Sequence, residues 1–156
     1  MPVGLDTHAY RGRLPHLSKP GRTYYVTFCT LHRKVLPERA RDVVLQVCVR
    51  HHDQSCWIDC LTVMPDHAHL IVTPFEEAIQ TVLGRMKGGS SYFVNRLLHL
   101  AGTLWQRESF DRMVRSEENL AKKREYVLNN PVRAGLVKRW EDYPWNWTPF
   151  LWSGGL

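Results

Sequence analysis

Two strand-like runs separated by a short turn constrain the fold of this chain more than any other segment. Residues 56–63 and 67–73 are rich in β-branched and other apolar side chains, which favour strands. Pro65 and Asp66 lie between the two runs and are typical of a turn. The sequence therefore predicts a β-hairpin, and any fold for this chain has to include an antiparallel pair of strands here.

The remaining elements alternate around this hairpin. Going along the chain, the patterns predict a strand over 23–30, a helix from 37 to 48, helical periodicity over 76–100 that is interrupted at 88–91, a short strand over 110–114, and a helix over 116–130 that Pro131 ends. The order strand, helix, strand, strand, helix, strand, helix predicts an α+β class. We expect a ferredoxin-like antiparallel sheet with helices packed on one face.

The length and composition predict one domain without a membrane span. A chain of 156 residues fits a single domain, and no apolar run approaches the roughly 18 residues of a membrane helix. We expect an N-terminal arm over 1–20, a folded domain over 21–150 that includes a Trp- and Pro-rich end, and a tail over 151–156. Residues 1–13 lack the apolar region of a signal peptide, so we expect a cytoplasmic protein.

The charge of the chain points to an anionic partner. The formal net charge is +6 and the pI about 9.4, and arginine binds phosphate through two parallel hydrogen bonds. A merely solvated basic surface is an equally good interpretation of charge alone. The candidates for phosphate or DNA contacts are Arg85, Lys87, Arg96, Arg107, Arg112, Arg115 and Lys122.

Two histidines begin the second strand of the hairpin. His67 and His69 flank Ala68, and residues i and i+2 of a strand lie on the same face. Both imidazoles could therefore bind one divalent metal ion. Histidines at the edge of a core, bonded to backbone, are the ordinary alternative. A zinc site from Cys56 and Cys60 with neighbouring histidines is a weaker hypothesis, because the spacing is poor.

The last predicted helix carries a second group of candidate residues. Tyr126 and Asn130 are four residues apart and share a helix face, which Lys122 can join. A tyrosine hydroxyl is a weak nucleophile at neutral pH because its pKa is near 10, unless a cation favours the phenolate. His67, His69 and Asn130 could supply two nitrogens and an amide oxygen to a metal, a set that suits Mn²⁺ better than Mg²⁺. A packed tyrosine is the ordinary alternative.

Three segments resemble one protein family in order and spacing. Residues 64–70 (MPDHAHL), 104–112 (LWQRESFDR) and 124–137 (REYVLNNPVRAGLV) resemble the REP-associated tyrosine transposases, which are relatives of the small single-tyrosine HUH transposases of insertion sequences. The resemblance runs from about residue 24 to residue 147. It implies a ferredoxin-like HUH domain in which His67 and His69 bind metal and Tyr126 is the nucleophile. The third ligand position falls on Asn130, where relatives often carry glutamine.

The resemblance also implies an activity. It predicts a transposase and endonuclease that cleaves and rejoins single-stranded DNA at stem-loops, through a 5′-phosphotyrosine intermediate and with a divalent metal, Mg or Mn. The expected partner is single-stranded or hairpin DNA, and the protein is expected to be a monomer or a homodimer. Two alternatives stay open: a catalytically silent module that binds hairpin DNA or RNA, and a metal-dependent nuclease that uses water.

Overall fold

The structure, a computed structural model, describes residues 21–150. The arm predicted over 1–20 and the tail predicted over 151–156 lie outside the described residues. The strands are β1 (Tyr24–Cys29), β2 (Cys56–Val63), β3 (His67–Pro74), β4 (Phe110–Met113) and β5 (Asn146–Trp147). The α-helices are α1 (Glu38–Val49), α2 (Ile79–Leu98), α3 (Glu117–Leu128) and α4 (Asn130–Arg133), with 3-10 turns at Leu31–Arg33 and Trp140–Asp142.

The strands form one sheet in the order β4-β1-β3-β2-β5, and every neighbouring pair is antiparallel. The predicted hairpin is β2 and β3, and the order of the first four strands is the ferredoxin-like order. The predicted α+β class is therefore confirmed. β5 was not predicted as a strand. It joins the sheet because Asn146 and Trp147 pair with Thr62 and Leu61, so the end of the domain folds back onto β2.

The two faces of the sheet are covered by different helices. On β3, Ala68, Leu70 and Val72 point into the core that α1 and α2 cover, as expected for helices on one face. His67, His69 and Ile71 point to the opposite face. There α3 packs, through a smaller apolar cluster that includes Ile71 and Val127. The position of α3 refines the expected architecture, because it places a helix on the face that carries the histidines.

Two helix boundaries differ from the sequence-based expectation. Helix α2 continues through the predicted interruption at 88–91. A Cβ on Gly89 would lie 3.2 Å from Val47 Cγ1, so the glycine permits close packing of α2 on α1. At the other boundary, α3 ends at Leu128, and Pro131 does not end helical structure. It lies in the first turn of α4, where a proline needs no hydrogen-bond partner.

The part of the chain that the structure describes holds no helix that is both long enough and apolar enough to cross a membrane.

Candidate active site

His67 and His69 lie side by side at the start of β3. Their ring centroids are 4.7 Å apart, and the rings are nearly perpendicular. Cys29 and Thr27 are their cross-strand neighbours on β1. The His67 side chain is 17% exposed, so its ring meets solvent while remaining held by the strand. Because alternate side chains of β3 lie on the same face, both imidazoles stand together at a partly exposed position, as the sequence predicted.

The His67 ring is oriented by a carboxylate. Its Nδ1 atom lies 2.8 Å from Asp66 Oδ1, and Arg33 Nε donates to Asp66 Oδ2 at 3.2 Å. Burial opposes ionisation of Asp66, but the hydrogen bonds from His67 and Arg33 outweigh it and hold the pKa of this carboxyl below its usual range. An ionised Asp66 favours the His67 tautomer that carries its proton on Nδ1.

The His69 ring is oriented by hydroxyl groups. Thr27 Oγ1 lies 2.7 Å and the Tyr25 hydroxyl 3.3 Å from His69 Nδ1. Burial, together with the smaller effects of the charges of His67, Arg133 and Lys123, lowers the pKa of His69 to about 3. His69 is therefore neutral at physiological pH, which is the form that can bind a metal.

The hydrogen bonds of the two histidines fit a metal site. Since each Nδ1 atom already has a partner, Nε2 is the ring nitrogen that remains for another ligand. A carboxylate or hydroxyl on the second ring nitrogen is the usual support of a metal-binding histidine. Asn130 Nδ2 lies 3.4 Å from His67 Nε2, so the amide group stands beside this nitrogen, and rotation of the amide would turn its oxygen towards an ion there. The residues present thus fit a divalent ion held by His67, His69 and Asn130.

Residues 21–150 contain no group of three or more His, Cys, Asp or Glu side chains that could hold a metal ion. The zinc hypothesis for Cys56 and Cys60 is therefore unsupported in this part of the chain. The two thiols also belong to the apolar clusters on opposite faces of the sheet. Burial raises the pKa of Cys56 to about 12 and that of Cys60 well above its ordinary value.

Tyr126 lies in the last turn of α3 and faces the same side of the sheet as the histidines. Its side chain is 48% exposed. The Arg133 guanidinium lies over its ring, 3.8 Å from the centroid. Lys123 Nζ lies 5.4 Å from the Tyr126 ring centroid and 4.5 Å from that of Tyr25, whose hydroxyl contacts His69. One tyrosine and two cations therefore stand beside the histidine pair.

Helix α3 is fastened to the sheet at two places. Arg124 donates to both carboxylate oxygens of the buried Asp59, at 2.6 and 3.1 Å. Near the helix end, the Thr62 hydroxyl contacts Val127 O at 3.1 Å. Asn146 on β5 donates to Leu128 O at 2.9 Å. These contacts fix the end of the helix that carries Tyr126.

A groove of about 710 Å³ leads along α3 to Tyr126. It runs between the β4 side of the sheet and the helix. The described residues that line it are Tyr25, Arg112, Met113, Val114, Arg115, Asn119, Lys122, Lys123 and Tyr126. Four of them are basic and none is acidic, so the groove favours an anionic chain over a neutral one.

Comparison with known proteins identifies the family of this chain. The model of the family described as Transposase IS200 like matches residues 21–130, which is most of the chain. The chain belongs to the IS200-like transposase family. The resemblance drawn from the three sequence segments is confirmed, and the matched region includes the two histidines, the tyrosine and Asn130.

Individual relatives of this IS200-like chain are distant. A Haemophilus influenzae protein named as a REP-associated tyrosine transposase is 26% identical over an alignment of 97 residues that covers 55% of each chain. The chain thus spans about half the length of that curated relative. A solved REP-associated tyrosine transposase bound to a REP hairpin superposes with a TM-score of 0.67 and 21% identity, over 81% of this chain and 76% of the other. A Deinococcus radiodurans protein described as a transposase superposes with a TM-score of 0.53 and 22% identity, over 74% and 95%.

The seven basic residues singled out from the sequence separate into two groups in this chain. Arg112, Arg115 and Lys122 line the groove beside Tyr126. The others lie on α2 or the loop after it, on the side of the sheet away from the histidines. Arg85 pairs with Glu77, and Arg96 contacts Tyr92.

Lys87 and Arg107 complete this second group, and Lys87 has a structural task. Its Nζ donates to Gln106 O at 2.9 Å and to Ser109 Oγ at 2.8 Å, so it ties α2 to the loop that leads into β4. Burial lowers its pKa. Arg107 is exposed in that loop and lines a separate groove of about 780 Å³ along α2.

Sequence reasoning missed four residues that contact the site groups: Thr27, Asp66, Lys123 and Arg133. Lys123 stands three residues before Tyr126, a helical spacing that could have indicated it. Arg133 lies beyond the end of α3, on α4, so no helical spacing relates it to Tyr126. Thr27 could not have been found in this way, because it depends on the register between β1 and β3.

Proposed function

We propose that this protein is a transposase that cleaves and rejoins single-stranded DNA at stem-loop sequences. Family membership supports the reaction class, and the relative bound to a REP hairpin supports a hairpin substrate. The observation that carries the proposal is the position of Tyr126. One side of the sheet holds this exposed tyrosine, two cations and a pair of histidines whose Nε2 atoms remain for a ligand.

The proposed reaction is a transfer of the phosphoryl group to tyrosine. The Tyr126 oxygen attacks phosphorus and loses its proton, while the bond between phosphorus and the 3′ oxygen breaks. The products are a 5′-phosphotyrosine and a DNA strand that ends in a 3′-hydroxyl. A 3′-hydroxyl can reverse the step and join strands without ATP, because the energy of the phosphodiester is kept in the covalent bond.

His67, His69 and Asn130 are the residues that would hold a divalent ion, Mn²⁺ or Mg²⁺. Such an ion supplies Lewis-acid polarisation of phosphate oxygens. Asp66 accepts from Nδ1 of His67 and so favours the tautomer that presents Nε2, and the Thr27 hydroxyl can accept from Nδ1 of His69 in the same tautomer.

We further propose that the substrate strand lies in the groove along α3. Arg112, Arg115 and Lys122 would contact its phosphates. Phe110 is 49% exposed and packs edge-on against Tyr25. Stacking of a base on its ring would contribute about 1–3 kcal/mol. Trp105, Tyr143 and Trp145 are part of the core and are therefore not assigned this role.

The test is a covalent protein–DNA band on a denaturing gel. The probe is a 3′-labelled DNA hairpin with single-stranded flanks, incubated with Mn²⁺, because the 3′ fragment is the one that stays bound to Tyr126 in the proposed reaction. We expect the wild type to form the adduct and Tyr126→Phe to form none. Tyr92→Phe is the matched control, because Tyr92 is 55% exposed on α2, away from the histidines. An unchanged adduct in Tyr126→Phe would reject the assignment of the nucleophile.

The same gel separates the alternatives. Cleaved DNA without an adduct would indicate a nuclease that uses water, and binding without cleavage would indicate a silent binding module. A second arm adds excess chelator. Full activity in chelator would reject the role given to His67, His69 and Asn130, whereas recovery on adding Mn²⁺ would support it.

A further inference from the structure

Arg133 makes two contacts with the same tyrosine. Its guanidinium lies over the Tyr126 ring at 3.8 Å from the centroid, and its Nη2 atom donates to the Tyr126 backbone oxygen at 2.9 Å. A planar guanidinium can stack on an aromatic face and still donate along its edge. The ring and the main chain of Tyr126 are thus held by one side chain from α4.

The backbone that carries Arg133 is itself fixed. Pro131 is buried in the first turn of α4, and Arg133 N donates to Asn129 O at 3.0 Å. Gly135 ends the turn with φ of +78°, and Leu136 N returns a hydrogen bond to Pro131 O at 2.9 Å. This is a helix C-terminus in which glycine takes the left-handed position. The guanidinium is therefore held by a short helix whose C-terminus is fixed by hydrogen bonds.

The charge of Arg133 acts on the side chains around the histidine pair. Among residues 21–150, no carboxylate forms an ion pair with it, whereas nearby Arg139 pairs with Glu141 and Asp142. Its charge lowers the pKa of His69 and acts on Tyr25, so it lies within electrostatic range of both. Lys123 is the other cation that faces Tyr126, and it comes from α3.

We propose that Arg133 is a positioning residue, which holds the Tyr126 ring in its attacking orientation beside the histidine pair. The predicted effect of Arg133 on the reaction rate rests on the proposed function. Its predicted effect on the mobility of the Tyr126 ring rests on geometry alone. A tyrosine that is half exposed loses conformational entropy when it is held for in-line attack. Because the stack and the backbone hydrogen bond restrict the ring in the free protein, this entropy is already lost before DNA binds.

The kinetic test compares Arg133→Met, which keeps the length of the side chain, with Arg133→Lys, which keeps the charge but cannot stack as a plane. Arg139→Met is the matched control at an exposed arginine outside the site. In single-turnover adduct formation on the DNA hairpin, we expect Arg133→Met to lower the maximal rate by about 10–100-fold. The half-saturating DNA concentration should change by less than about threefold, and Arg133→Lys should recover only part of the rate.

A second readout needs no activity. In protein labelled with ¹³C-tyrosine, the Tyr126 ring signal is assigned by its loss in Tyr126→Phe, and the relaxation of its ring carbons reports ring mobility. We expect greater mobility in Arg133→Met and wild-type mobility in Arg139→Met. Ring mobility in Arg133→Met equal to that of the wild type would overturn the positioning role. So would an Arg133→Met variant that raises the half-saturating DNA concentration but keeps the wild-type maximal rate. If the wild type forms no adduct, the proposed function fails, and the relaxation measurement still tests the contact.

Discussion

At the scale of single residues, the partners of the histidines decide what the pair can do. Two imidazoles on one face are common in proteins, and by themselves they specify no ligand. Asp66 and Thr27 occupy the Nδ1 atoms and so present Nε2 on both rings. Asp66 adjoins His67 in the sequence and could have been recognised there. Thr27 is distant in sequence and was identified only by the pairing of β1 with β3.

Removing the hydroxyl of Thr27 should weaken metal binding. Thr27→Val keeps the shape of the side chain but leaves His69 Nδ1 without its 2.7 Å partner. Loss of such a supporting contact typically costs 10–100-fold in metal affinity, and we expect a drop of about that size in Mn²⁺ titrations followed by calorimetry. Thr23→Val is the control, because the Thr23 hydroxyl lies just before β1 and bonds to Thr73 on β3, not to a histidine. Equal Mn²⁺ affinity in both variants would contradict the role of Thr27.

The buried His69 should also make the metal-free fold sensitive to acid. Its pKa is about 3 in the folded protein and near 6.5 in an unfolded chain. Between these values the unfolded chain binds more protons, so the free energy of unfolding should fall as the pH is lowered from 6.5 towards 3.

Urea unfolding between pH 4.5 and 7 in EDTA measures this dependence. His69→Gln should flatten the slope by up to about 1.4 kcal/mol per pH unit. His99→Gln, exposed after α2, should not change it. A slope in His69→Gln equal to that of the wild type would show that His69 does not contribute.

At the scale of secondary-structure elements, the hairpin was predictable and the position of α3 was not. Strand alternation places His67 and His69 on the face opposite to Ala68, and the turn at Pro65 and Asp66 sets the pairing. Helix α3 buries few side chains, chiefly Val127 and Leu128, so its pattern does not indicate a packing face. Its place on the histidine side depends on contacts with Asp59 and Asn146, which are distant in sequence.

The ion pair between Arg124 and Asp59 should stabilise the docked position of α3. Asp59→Ala leaves Arg124, whose side chain is 30% exposed, without its carboxylate. Removing one partner of a fully buried pair costs about 3–5 kcal/mol, and because solvent screens part of the Arg124 charge, we expect the free energy of unfolding to fall by about 2–3 kcal/mol. Glu118→Ala removes the exposed pair with Lys122 on the same helix and should cost less than about 0.5 kcal/mol. Urea denaturation gives both values. Equal effects would show that burial does not distinguish the two pairs.

At the scale of the whole molecule, the basic residues are divided between the two sides of the sheet. The net charge of +6 indicated an anionic partner but could not specify a surface. The sheet separates the groove beside Tyr126, with Arg112 and Arg115, from the α2 side, with Arg85 and Arg96. Only the groove side combines cations with the histidines and the tyrosine.

This division predicts two kinds of salt dependence. DNA binding is measured by fluorescence anisotropy with the hairpin probe, in a Tyr126→Phe background that prevents cleavage. Arg112→Gln and Arg115→Gln should each flatten the slope of log affinity against log salt by about 0.7, the value for one contact to a single-stranded phosphate. Arg85→Gln and Arg96→Gln should leave it unchanged. Equal slopes in all four variants would argue against the groove as the strand path.

The sequence by itself determined the class of the fold, the hairpin with His67 and His69 on one face, and the candidate nucleophile Tyr126. These follow from local periodicity, turn chemistry and motif spacing, which act over a few residues. The tertiary structure decided which side α3 covers, that β5 closes the β2 edge, and that Thr27, Lys123 and Arg133 meet at the site. These depend on strand register and on contacts between distant segments, whose free energies arise only when the chain is packed.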